Sequence, residues 1–488
     1  MRLLLLLLLC LPGGRLPAAE ADLAAQVAAL QERLATVEAT ASAAKASVDS
    51  TAFNAGDNAW VLLGALLVLL MTIPGLALFY GGLVRRRNVL GTMMQSLAIT
   101  ALVSVAWAAC GFGLAFGGGS RWWIGGFDWL FLEGVAWTRS TADLAGSIPG
   151  PNGAYAASIP FATFCLFQMM FAVITPAVIC GAYAERMTFR AMALFSLAWL
   201  FLVYIPLAHM AWGVGGLFNW AAGATRFAAF DFAGGTVVET ASGVSGLVCA
   251  LILGKRRRYR EEPMPPHNLT MAFTGACLLW VGWFGFNAAS ALSCGGLASL
   301  AAINTHLAAS AATIAWPLAE WILRGKPTVL GAISGAVAGL VAITPACGFV
   351  TPASALMIGS VAGVLCYLAC STLKNAFSYD DSLDVFGVHG VAGIWGTVAT
   401  GIFFARDANP GLKAMNPELY AMIGDGRHSV VLGQLTAVGI TILIASVMSA
   451  VILLAIKATL GLRMPASDET EGLDLTQHGE DGYHGMSG

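Results

Sequence analysis

Apolar residues fill long stretches of this chain, and polar residues are confined to short breaks between them. Eleven such stretches stand out, at about 59–80, 93–116, 159–181, 191–213, 237–254, 268–290, 297–322, 328–345, 353–373, 386–404 and 430–457. Each approaches the ~20 residues that a helix needs to cross a hydrocarbon core about 30 Å thick. Inside that core no water is available to the backbone, so an isolated run must satisfy its own hydrogen bonds as a helix. The pattern predicts an all-α polytopic membrane protein with eleven transmembrane helices. Composition agrees: 58% of the 488 residues are hydrophobic and 11% are charged, against about a quarter charged in soluble domains.

The polar breaks set the orientation. Met1 and Arg2 precede an apolar run, Leu3–Cys10, that is too short to span, and Ala19-Glu20-Ala21 offers a small-residue cleavage site. Residues 1–21 therefore read as a signal peptide cleaved after Ala21, which exports the mature amino terminus. On that assignment fifteen Lys and Arg residues of the loops and tail face the cytoplasm, among them Arg85–Arg87 and Lys255–Arg260, and six lie in the loops of the opposite side. This is the bias of an inner (plasma) membrane protein with a cytoplasmic carboxyl terminus. In residues 22–58, Leu23, Val27, Leu30, Leu34 and Val37 alternate spacings of four and three. That seam suits either one amphipathic helix lying on its own protein or a small coiled coil between subunits. Asn54–Asn58 reads as a linker, 59–457 as the membrane domain and 458–488 as a cytoplasmic tail.

A short repeat divides the membrane domain. Ile174-Thr-Pro-Ala177 in the third span recurs as Ile343-Thr-Pro-Ala346 in the eighth, and Glu239 and His389 fall in the fifth and tenth. Two halves of five spans must be inverted because five is odd. That is a plan shared by many transporters, with the site near the midplane between repeats.

Glu239 would lie roughly 12 Å below Asp231 if one helix joined them. An ionisable group so deep is expensive and marks a pathway; His389 is the other one set as deeply. Together they would titrate as a unit, either relaying a proton past a small polar molecule or stapling the two halves as a buried hydrogen bond. Phe167, Phe171, Trp212 and the run Trp280–Phe286 lie toward the outer ends of their spans. They read as an interfacial belt or, if they converge, as a site for a desolvated cation. Asp231, ahead of Gly234 and Gly235, reads as a helix cap. A net charge of −2 argues against a nucleic-acid partner. The ten cysteines show no CxxC and no metal-like spacing, so they read as buried small hydrophobes, Cys294 with Cys347 being the one disulfide the loops would allow. No nucleophile–base motif or cofactor fingerprint suggests an enzyme, and no cofactor is expected.

Seven motifs carry a resemblance. They are Phe79-Tyr-Gly-Gly-Leu83, Gly181-Ala-Tyr-Ala-Glu-Arg186, Ile205-Pro-Leu-Ala-His-Met210, Asp231-Phe-Ala-Gly-Gly-Thr236, Gly282-Trp-Phe-Gly-Phe-Asn287, Thr344-Pro-Ala-Cys-Gly348 and Asp384-Val-Phe-Gly-Val-His-Gly390. In their order the chain closely resembles the ammonium transporter (Amt/Mep/Rh) family, on the Amt side, from about Ala59 to the carboxyl terminus. The resemblance implies a homotrimer of eleven-helix subunits, each with its own narrow apolar pore. By motif position it implies an outer ammonium site of Phe167, Trp212 and Ser290 supported by Asp231. It also implies stacked rings of Phe171 and Phe286 closing the pore, and His389 as the second of two pore histidines. Glu239 departs from that pattern, standing where the first pore histidine would be. Some family members, notably fungal ones, carry an acid there, and the expected consequences are a shifted pH dependence and weaker discrimination against other monovalent cations. The tail, with Glu471-Gly-Leu-Asp474, His478-Gly-Glu480 and Tyr483, resembles the family's as well. It would dock on the cytoplasmic face and couple subunits, whereas composition alone reads it as a disordered polar segment. The function expected is ammonium transport, with a PII-type signalling protein as regulator; the rival expectations are an ammonium sensor with little flux and a passive ammonia gas channel.

Overall fold

The computed structural model describes residues 53–119, 121–139, 146–147, 149–221, 227–424 and 427–483, together with Gln26, Ala29, Leu30 and Arg33. The chain forms two units, Met1–Ala52 and Phe53–Gly488. In the first, the four described residues are helical, while the expected signal peptide and most of the heptad seam lie outside the described residues.

Helix falls on every one of the eleven expected segments. Among the described residues nine are long and apolar enough to cross a membrane: α1 Ala55–Leu83, α2 Arg86–Phe116, α3 Phe161–Tyr183, α4 Phe189–Trp212, α5 Gly235–Leu253, α6 Leu269–Ala291, α7 Gly296–Arg324, α9 Pro352–Phe377 and α11 Val430–Thr459. Two, α8 Val329–Ile343 and α10 Phe386–Ile402, are shorter. The fold is all-α and polytopic. The outward faces of the long helices are apolar, as lipid requires, with Val105 71% and Ile314 69% exposed.

Several boundaries differ from the hydrophobic pattern, each for a local reason. α1 begins at Ala55, inside the expected linker, because the Asn54 side chain accepts a hydrogen bond from the Asp57 N–H and caps it. α8 stops at Ile343, short of the expected 345, and the chain continues in turns to Phe349. Thus the two Ile-Thr-Pro-Ala copies differ: α3 runs on through Pro176, whereas the second copy ends its helix. α5 begins only at Gly235, so Asp231 and Glu239 do not share one continuous helix. The links on the face away from the basic loops carry small elements that hydropathy does not show. They are the hairpins Thr138–Arg139 with Gly146–Ser147 and Pro151–Asn152 with Ala156–Pro160, and the short helices Pro410–Met415 and Pro417–Ile423. Cys294 and Cys347 are both free, the first exposed and the second buried, so the candidate disulfide is absent.

Small residues bring helix backbones into contact, the arrangement that close packing in a bilayer favours. A Cβ on Gly275 of α6 would strike the backbone of Phe79 in α1, and one on Gly82 of α1 would strike Ala272 of α6. The same device joins α5 to α10, where Gly243 lies against Gly390, and Gly393 against Glu239 and Thr240.

The face carrying the 85–87, 186–190 and 255–260 loops is held by buried charge. Glu185 accepts from Arg85 Nε at 3.0 Å, Asn88 Nδ2 at 3.0 Å and Arg256 Nη1 at 2.9 Å. Burial alone would raise its carboxyl, but Arg256 and Arg85 hold it below the ordinary value. Arg256 in turn meets Asp380 Oδ1 at 2.8 Å. The tail docks on this network rather than straying from it. Leu473 N donates to Asn88 Oδ1 at 2.8 Å, Asp474 accepts from Gly91 N at 2.8 Å and Leu90 N at 3.2 Å, and Arg257 N donates to Glu469 at 2.7 Å. Tyr483 packs under Arg86 and hydrogen-bonds His267.

Candidate functional site

The site is built where α5 and α10 cross. Both begin with a widened, π-type turn, Gly235–Thr240 and Phe386–Gly390, and these turns carry Glu239 and His389. Such turns rotate side chains off the regular helical path and recur at functional sites. The glycine contacts run in opposite order along the two helices, with Gly246 beside Val385, Gly243 beside Gly390 and Gly393 beside Glu239. The helices are therefore antiparallel and overlap through their amino-terminal halves. From Glu239 to Leu253 is about 21 Å of helix and from His389 to Ile402 about 20 Å, leading to opposite faces. The two side chains thus sit near the middle of a bilayer.

There His389 Nδ1 and Glu239 Oε2 are 2.7 Å apart, and the residues are 4% and 1% exposed. One proton lies between a carboxylate and an imidazole, and the assignment of that proton decides whether the contact is an ion pair or a neutral hydrogen bond. A cavity of about 340 Å³ on the side of the basic loops is lined by His389 together with Tyr80, Lys374, Asp384 and Glu320.

Both helix starts are capped by a buried aspartate. Asp231 Oδ1 accepts from Gly234 N at 2.8 Å and Gly235 N at 2.7 Å, and Oδ2 accepts from Thr236 N at 2.8 Å and from the Thr236 hydroxyl. Gly234, with φ 122°, makes the turn that lets one carboxylate reach three successive N–H groups. On the other helix Asp381 Oδ2 accepts from Phe386 N at 2.7 Å. Burial pushes the Asp381 carboxyl up to about 6, against the pull of Lys374. Sequence reasoning missed Asp381. The signal was there: Asp381 precedes His389 by the same eight residues that separate Asp231 from Glu239. Tyr80, quoted as part of a motif but given no role, lines the cavity beside His389 and donates to Val178 O at 3.0 Å.

Toward the opposite face lies a cluster of rings. Phe171 and Phe286 have centroids 4.5 Å apart and are tilted by 46°, not stacked in parallel; Phe167 meets Phe171 edge-on at 4.9 Å and Trp212 meets it at 6.2 Å. Phe167, Phe171 and Phe286 are each 1% exposed. Trp212, half-buried at the end of α4, donates from Nε1 to Asp231 O at 3.1 Å. Ser290 donates its hydroxyl proton to Phe286 O at 2.7 Å, which turns its remaining lone pairs toward any donor. The fold therefore brings Phe167, Phe171, Phe286 and Trp212 together, with Asp231 behind Trp212 and Ser290 one turn beyond Phe286.

An apolar helical bundle, with clustered rings on one side and a cavity reaching a buried acid–imidazole pair on the other, defines a multi-pass membrane protein. The chain belongs to the Ammonium Transporter Family, whose profile matches residues 59–483. The ammonium transporter of Bacillus subtilis (strain 168) is 46% identical over 428 residues, covering 88% of this chain and 98% of its own. That of Aquifex aeolicus (strain VF5) is 42% identical over 430 residues, covering 88% and 93%. Among solved structures, a Sensor Amt Protein superposes with a TM-score of 0.74 at 27% identity, over 87% of this chain and 98% of that one. Saccharomyces cerevisiae Mep2 superposes at 0.73 and 31%, over 85% and 89%.

Proposed function

We propose that this chain carries ammonium across the inner membrane and uses Glu239 and His389 as a proton relay. The observation that supports this most directly is the 2.7 Å contact between two ionisable side chains near the bilayer middle, one of them lining the cavity. Ammonium is recruited by Phe167, Trp212 and Ser290, with Asp231 fixing Trp212, and gives up a proton there. Ammonia passes Phe171 and Phe286 and the proton follows through the pair. The physical reason is desolvation: taking bare ammonium through an apolar pore strips a full charge of water, whereas ammonia forfeits only hydrogen bonds. In this reading the chain spans eleven times and assembles as a homotrimer. Residues 1–21 are removed as a signal peptide, the heptad stretch 22–58 is exported, and the tail lies in the cytoplasm, where a PII-type protein is the expected regulator.

A second reading is an ammonium sensor with little flux. It is favoured by the likeness to the Sensor Amt Protein and by a tail wired into the loop network through Asn88 and Asp474. A passive gas channel would instead conduct without current. Current after an ammonium pulse, recorded from proteoliposomes on a solid-supported membrane for the parent and for Glu239→Ala, separates these. Saturable current that disappears in the variant supports the relay. Current that persists unchanged makes Glu239 structural, and binding without current in the parent favours the sensor.

A further inference from the structure

The outer aromatic mouth has a support that the relay does not use, His209, in the last turn of α4 one turn before Trp212. The residue is 0% exposed. Its Nδ1 lies 2.8 Å from the carbonyl oxygen of Ala115 and its Nε2 lies 3.1 Å from that of Arg121. Carbonyl oxygens only accept. A neutral imidazole has one N–H, so one of the two contacts would set a ring lone pair against an oxygen lone pair. An imidazolium donates at both ends and satisfies both. From this geometry we propose that His209 is held as the doubly protonated imidazolium and is the positioning residue that fixes Trp212 at the outer mouth.

Burial opposes a cation here, and what offsets it is the pair of carbonyl acceptors and the helix ends beside them. Ala115 belongs to the final turn of α2, which ends at Phe116, and His209 belongs to the final turn of α4. Two helix carboxyl termini, each the negative end of its dipole, therefore meet at one ring. Among the described residues of the 117–160 loop, the charged and titratable ones are Arg121, Asp128, Glu133, Arg139 and Tyr155. The first two are exposed to solvent, and the Tyr155 hydroxyl donates to Phe116 O while accepting from Val214 N at 3.2 Å. Gly213 and Gly216 follow His209 so closely that a Cβ on Gly213 would strike the ring and one on Gly216 its carbonyl oxygen. Trp212 is consequently held from three directions: by His209 one turn before it, by Tyr155 through Val214 after it, and by Asp231 O at its indole N–H. Breaking the first tie frees the end of α2 and the Arg121 segment from α4. It leaves Glu239 and His389 untouched.

This inference rests on the reading of Trp212 as part of the ammonium mouth, and the test keeps the two apart. His209 is the one histidine in the sequence followed by methionine, so paired 13C,15N-histidine and 15N-methionine labelling assigns it in the unaltered protein in bilayers. At a pH of about 8, where a free imidazole is neutral, 15N spectra should show both His209 ring nitrogens protonated. One unprotonated ring nitrogen overturns the proposal. In current recordings His209→Gln should raise the ammonium concentration for half-maximal current about tenfold, with maximal current within about twofold of the parent. An unchanged half-maximal concentration removes the positioning role. If Trp212→Ala also leaves that concentration unchanged, the ammonium reading of the mouth fails instead, while the ring spectrum still decides the imidazolium.

Discussion

Replacing Glu239 by Gln isolates the proton from the shape. Gln has nearly the volume of Glu and can still hydrogen-bond His389 across the 2.7 Å contact, but it cannot take up or release a proton near neutral pH. The structural loss is the difference between a hydrogen bond to a charged group, about 1.5–3 kcal/mol, and a neutral one, about 0.5–1.5 kcal/mol. A deficit on the order of 1 kcal/mol should leave the bundle folded. The transport loss is larger. Without a proton carrier, charge can cross only as ammonium stripped of water, and even after relaxation a buried ion costs several kcal/mol. Taking about 3 kcal/mol as a lower figure, and a factor of ten per 1.36 kcal/mol of barrier, current should fall by at least about a hundredfold. The assay is the saturating current per reconstituted protein, with thermal unfolding in detergent as the control for folding. A Glu239→Gln protein that is folded and carries current within about twofold of the parent would refute the relay, leaving the pair as a staple between the halves.

Two further substitutions test the ends of the site. Burial holds the Asp381 carboxyl near 6 in the fold, above the ~4 of an unfolded chain. The folded state then binds the extra proton between those values, so stability falls as pH rises from about 4 to about 6 and is level above, by an amount on the order of 3 kcal/mol. Glu185 and Asp380 are shifted the opposite way but are common to parent and variant. The gap in unfolding midpoint between parent and Asp381→Asn should therefore change over that window, and a constant gap would rule the argument out. Asp474→Ala removes the acceptor for two tail-docking N–H groups. At about 1.5 kcal/mol or more each, tryptic cleavage after Arg463 should accelerate at least tenfold, and an unaltered rate would mean that the tail is held elsewhere.

The sequence legibly carried the spans and the deep pair, because lipid imposes one strong rule, a long apolar helix, and makes any exception conspicuous. Glu239 and His389 stood out as exceptions of that kind, and their convergence required only an odd number of spans per half. What hydropathy could not carry was backbone geometry at helix ends. The late start of α5 at Gly235 and the start of α10 at Phe386 depend on which N–H groups Asp231 and Asp381 capture, and α8 stops at Ile343 ahead of Thr344-Pro345. Those choices are local and polar, and they are invisible to a pattern of apolar residues. Asp381 was overlooked because the motif around His389 drew attention to Asp384, which binds Lys374 at 2.7 Å rather than the helix start. His209 was quoted within a motif yet given no chemistry, since nothing in a sequence says that two carbonyls will face one ring.

The crossing of α5 and α10 has a consequence for direction. The two sides of that crossing already differ in shape, with the ring cluster toward one and the cavity toward the other. They differ in chemistry as well, with a carboxylate on α5 and an imidazole at the matching place on α10. Along the crossing Glu239 lies level with Gly393, and His389 lies with Gly390 beside Gly243, about one helical turn nearer the cavity. A proton arriving past the rings therefore meets the acid first, and one arriving through the cavity meets the base first. The order of acid and base along the crossing is thus set by two side chains on antiparallel helices.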